Sequence, residues 1–63
     1  MEKALIAAGV RNLKEFGYPE VNKSNILTDP IYSAFFRSML RDNKGHNAEV
    51  DKAIDTLLAQ IVA

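Results

Sequence analysis

Asp29-Pro30-Ile31-Tyr32-Ser33-Ala34-Phe35-Phe36-Arg37-Ser38-Met39-Leu40-Arg41-Asp42-Asn43-Lys44-Gly45 encodes both ends of one helix. Asp29 is a favoured N-cap, and Pro30 fits the first helical position, where a missing N–H costs nothing. The proline also disfavours helical geometry at the residue before it, which suits a cap. At the far end, Arg41 and Lys44 suit the negative end of the helix dipole, and Gly45 supplies a stop. Taking 100° per residue, Ile31, Tyr32, Phe35, Phe36, Met39 and Leu40 spread over about 180°, wider than the stripe of roughly 100° that one neighbour covers. A helix over 30–44 with so broad an apolar surface has two neighbours, or one neighbour and a partner chain.

The flanking sequence supplies the neighbours. Over 2–16, Leu5, Ile6, Val10, Leu13 and Phe16 fall within an arc of about 140°, with Gly9 inside it. Gly17 stops this helix and Pro19 prevents its continuation. Gly9 costs about 1 kcal/mol relative to alanine in a helix interior, and on an apolar face its use is the close approach of another helix. Residues 18–28 form a long connection in which Tyr18, Val21, Ile26 and Leu27 are apolar anchors, and Ser24 is placed to cap a short helical turn at 23–27. Beyond a turn of two or three residues, with Asn47 as N-cap, Val50, Ala53, Ile54, Leu57, Leu58 and Ile61 make a third stripe over 48–62. So short a turn makes the second and third helices an antiparallel or steeply crossed pair. The expected architecture is an all-α three-helix bundle, with helices at about 2–16, 30–44 and 48–62, forming one domain over 1–63.

Composition narrows the functions such a bundle can have. The chain has 63 residues and no cysteine, so disulfides and cysteine-ligated zinc are excluded. A domain this small is marginally stable, and good helix packing or oligomerisation must compensate. Eight basic and eight acidic side chains cancel, whereas nucleic-acid binders normally carry a basic excess. No apolar run approaches the roughly 18 residues needed to span a bilayer, and the N-terminal residues lack a signal-peptide pattern, so the expected location is cytoplasmic.

No catalytic constellation accompanies this frame. G-x-S-x-G, P-loop, G-x-G-x-x-G and H-E-x-x-H patterns are absent, and His46 has no second histidine or cysteine as co-ligand. The expectation is a protein that is not an enzyme, with no cofactor, metal or small-molecule substrate. Arg37, Arg41 and Lys44, at i, i+4 and i+7, form a basic ridge able to grip an anion or an acidic partner; Asp51 and Asp55 at the edge of the third stripe offer it counter-charges. Tyr32 and Phe36, towards the wide side of the central helix, are candidate interface residues together with Leu40, because aromatic side chains concentrate at interfaces. The apolar run Leu58-Ala59-Gln60-Ile61-Val62-Ala63 adds Leu58 and Val62 as positions that call for cover.

The pattern Leu13-Lys14-Glu15-Phe16-Gly17-Tyr18-Pro19, then Asn25-Ile26-Leu27-Thr28-Asp29, then Tyr32, Phe35-Phe36 and Met39-Leu40, resembles small proteins encoded by phage and prophage genomes. The resemblance implies a phage or prophage origin and brings no activity and no site residues. The residues themselves point to a small helical interaction module that self-associates, as a homodimer, or binds a protein partner. The alternative is a helix-turn-helix-like DNA-binding regulator, the size of which fits three helices in about 60 residues. Against it, the third helix offers Glu49, Asp51, Lys52 and Asp55, mostly the wrong sign for phosphate.

Overall fold

The computed structural model describes residues 1–61, and its three helices are α1 (Glu2–Glu15), α2 (Pro30–Asp42) and α3 (Ala48–Gln60). Each helix contacts both others, so the bundle expected from the three stripes is the observed architecture. The caps explain the boundaries. The Asp29 carboxylate accepts from the N–H groups of Ile31 and Tyr32 at 2.8 and 3.2 Å, with Pro30 at the first helical position. The Asn47 side chain does the same for Glu49 and Val50 at 2.9 and 3.2 Å. Each cap satisfies donors that the first helical turn would leave unpaired.

α1 stops one residue short of the expected end. Phe16 is its C-cap, Gly17 adopts φ +103°, and the chain doubles back. Tyr18 N–H bonds to the Leu13 carbonyl at 3.0 Å and Gly17 N–H to that of Lys14 at 3.1 Å, the paired bonds of a Schellman termination. The reversal carries Tyr18 back towards the core and leaves Phe16 facing outward.

α2 ends at Asp42, two residues earlier than expected, with Asn43 as C-cap. Its connection to α3 therefore runs over 43–47 and is longer than the two or three residues anticipated. Gly45 takes φ +99° there, and its N–H is held by the Asp51 carboxylate at 2.9 Å.

Val21 and Ile26 are buried within the core, while Tyr18 and Leu27 pack at its margin, so the connection between α1 and α2 is anchored as its apolar residues indicate. Residues 23–28 close as turns: Ile26 N–H bonds to the Asn22 carbonyl at 3.0 Å, and Asp29 N–H to that of Asn25 at 2.8 Å. Asn22, not Ser24, caps this segment. Its side chain accepts from Ser24 and Asn25 N–H, while the Asn25 side chain accepts from Asn22 N–H at 2.8 Å. This reciprocal pair works as a capping box does at a helix start.

The core consists of Leu13, Val21, Ile26, Phe36, Leu40, Ile54, Leu57 and Ile61. Gly9 and Ser33, two small residues, are buried among them. The Ser33 hydroxyl is satisfied locally, donating to the Pro30 carbonyl at 3.4 Å. No helix is long and apolar enough to cross a membrane among the described residues.

Candidate protein-interaction surface

The inward direction of α2 is set by Ser33, Phe36 and Leu40, which lie within about 60° of one another on the helix and are all buried. This corrects the expected interface. Phe36 is 1% and Leu40 0% exposed within the single chain, so neither is available to a partner. Tyr32 and Leu58 are half-buried at the core margin. Val62 lies outside the described residues.

What α2 turns outward is the other half of its apolar arc. Ile31 is 58% and Phe35 44% exposed, and they stand one turn apart on one face. Phe16, at the end of α1, is 74% exposed and stacks on Phe35 with ring centroids 6.4 Å apart and planes inclined by 26°. Tyr18 continues the array, 5.5 Å from Phe35 and edge-on to Tyr32 at 5.8 Å. Four aromatic rings thus form a continuous band from the end of α1 across the first half of α2. Phe16 and Phe35, though both within the apolar arcs of the sequence, are therefore not core residues. Phe16 falls beyond the last helical residue, and Phe35 lies about 160° from the buried Ser33 around α2.

Beside this band is a cleft of about 70 Å³, lined by Gly9, Leu13, Phe16, Phe35, Phe36 and Met39. That is the liquid volume of roughly two waters, enough for the end of an apolar side chain and too little for a small-molecule substrate. Asn12 stands at its edge, its amide donating to the Met39 sulfur at 3.3 Å.

The basic ridge does not persist as a unit. Arg37 is half-buried and Arg41 exposed on α2, but Lys44 lies past the helix end and turns to α3. Its Nζ bonds to the Asp55 carboxylate at 2.6 Å. The hydrogen bond Lys44 donates to Asp55, and the charge of Asp55, with a smaller contribution from Asp51, raise the Lys44 pKa above its ordinary 10.5. The anticipated counter-charges on α3 are therefore used inside the chain, Asp55 by Lys44 and Asp51 by the Gly45 N–H. His46 is exposed in the same connection.

No protein-family model matches the chain, and no curated protein and no solved structure matches it.

Proposed function

We propose that this protein is a small interaction module that self-associates through the aromatic band of Phe16 and Phe35 together with Ile31. The observation carrying this reading is that three large apolar side chains are exposed side by side in a chain with no cysteine to stabilise it otherwise. A two-fold arrangement sets the same patch against itself, and each copy supplies a cleft beside Phe35 for an apolar side chain of the other.

The size of the patch sets the strength of the contact. At about 200 Å² for a whole phenylalanine side chain, the exposed fractions of Phe16 and Phe35 present on the order of 240 Å². Covering that area on both copies at about 25 cal/mol per Å² gives about 12 kcal/mol. Association itself costs about 4–15 kcal/mol. The balance describes a reversible dimer with micromolar or weaker affinity, well below the roughly 800 Å² per partner of a stable complex.

Sedimentation velocity from about 10 µM to about 1 mM tests it across the range where such a dimer forms. The sedimentation coefficient should rise with concentration, and Phe16→Ser combined with Phe35→Ser should hold the protein monomeric with unchanged helical circular dichroism. A wild-type protein that stays monomeric throughout refutes self-association. A monomer that nonetheless binds a different protein through Phe16 and Phe35 would move the reading to a hetero-partner.

A further inference from the structure

A second surface lies around the other side of α1. Lys3, Ala7, Val10 and Lys14 follow one another at i, i+4, i+7 and i+11, the spacing of a single stripe along a helix. Asn12, which borders the aromatic cleft, stands about 180° from Lys3 on the same helix. Together with Asn22 and Lys23 of the connection, the stripe lines an open groove of about 930 Å³. Its floor is apolar, made by Ile6, Ala7 and Val10. Four cations, Lys3, Arg11, Lys14 and Lys23, line it against a single carboxylate, Glu15.

Half of the chain's eight basic side chains therefore gather on one groove, although the whole protein is neutral. None of the four takes part in an ion pair among the described residues, in contrast to Lys44. From Lys3 to Lys14 the groove runs about 16 Å along α1, the length of about three helical turns. We propose that it receives an acidic amphipathic helix of a partner protein, whose apolar ridge lies on Ile6, Ala7 and Val10 and whose Asp and Glu side chains face Lys3, Arg11, Lys14 and Lys23. A helix laid in a groove presents its anchors at i, i+3, i+4 and i+7, which suits a floor of this length. Nucleic acid fits less well, because its backbone needs polar donors along the whole track and the floor offers aliphatic carbon. A flat anionic membrane fits less well, because the apolar lining carries no large exposed side chain such as Trp or Phe, and Ile6 and Val10 are already half-buried within the chain.

The test is amide chemical-shift mapping on the full chain, kept dilute enough to be monomeric. The probe is a capped synthetic peptide of about 15 residues with leucine at i, i+3, i+4 and i+7 and glutamate on both flanks. Saturating shifts confined to 3–15 and 22–23 are expected. Raising salt from about 50 to about 500 mM should weaken binding, because the rim charges are solvent-exposed. Arg11→Glu with Lys14→Glu should weaken it at least tenfold, on the order expected for reversed rim charges. Ala7→Glu, at an exposed floor position, should abolish it while the circular dichroism stays unchanged. The proposal is overturned if the peptide gives no shifts at about 1 mM, or if its counterpart with lysine in place of glutamate binds equally. Shifts at Phe16 and Phe35 instead of the groove also overturn it. So does a stronger response at the groove to phosphatidylserine vesicles or to duplex DNA than to the acidic peptide. Monomeric Phe16→Ser, Phe35→Ser protein should bind the peptide unchanged, which separates this surface from the dimer contact.

Discussion

Gly9→Ala is the substitution for which this structure and helix propensity predict opposite signs. In an ordinary helix interior, replacing glycine by alanine stabilises by about 1 kcal/mol. Here a Cβ would lie 2.7 Å from both Cδ1 and Cε1 of Phe36 and 2.9 Å from Cδ1 of Ile26. Carbon atoms rest at about 3.5–4.0 Å, so the overlap with the ring is close to 1 Å. Phe36 and Ile26 are both buried, so neither can simply swing into solvent. Overpacking of this kind costs about 1–3 kcal/mol. Set against the propensity gain, the expected net effect is a loss of about 1 kcal/mol. For a domain of this size, that lowers Tm by about 4–8 °C. Thermal and urea unfolding followed by circular dichroism measure it. Ala34→Gly, at an exposed position of α2, calibrates the propensity scale in the same protein. Phe36→Leu removes the ring, so the pair Gly9→Ala with Phe36→Leu should be less destabilised than the two single losses combined, by about 1 kcal/mol. A Gly9→Ala protein that melts higher than wild type, or a strictly additive double variant, would refute the close approach of α1 to Phe36.

The remaining expectations concern the helix ends and the Lys44–Asp55 ion pair. Asp29→Ala and Asn47→Ala should each lower the unfolding free energy by about 1 kcal/mol, since each removes a side chain that pairs two N–H groups; urea midpoints unchanged for both would contradict the capping geometry. Asn22→Ala should also destabilise, whereas Ser24→Ala, which removes no cap, should be near neutral by the same measurement. Lys44 has a folded pKa above its unfolded value, so the stability from its pairing with Asp55 is fully present below pH 10.5 and is lost as pH rises through the raised value. The gap in urea midpoint between wild type and Asp55→Asn should therefore be small at about pH 9 and close as pH rises through the raised Lys44 value. A gap that widens with pH would show that Asp55 acts through something other than Lys44.

The three helices, and the N-caps of α2 and α3, were legible in the sequence because Asp29, Pro30 and Asn47 act locally, within two or three residues. The rotation of each helix was not. On α2, hydrophobicity places the centre of the apolar arc near Tyr32 and Met39, whereas the helix packs on Ser33, Phe36 and Leu40. The difference is made by Ser33, a polar residue that an apolar count assigns to the outside. It is small and its hydroxyl bonds to Pro30 within the same helix, so burying it leaves no polar atom unpaired. Gly9 on α1 was legible by contrast, since its place inside the apolar arc points to the close approach of another helix, and the Phe36 ring of α2 packs there.

Gly9 thus lets α1 approach the Phe36 ring, and Ser33, buried with Phe36 and Leu40 on the same side of α2, lets that side turn inward. The same rotation turns Ile31 and Phe35 outward. The aromatic band is therefore the geometric counterpart of the close approach at Gly9 and of the buried Ser33 side of α2. A helix with apolar residues over about 180° has more apolar surface than a close three-helix seam can cover. Selecting the Ser33 side for the core leaves the Ile31 side exposed. The surface patch and the core are in this sense one choice, and the signal for it in the sequence is the placement of the small residues, not of the large ones.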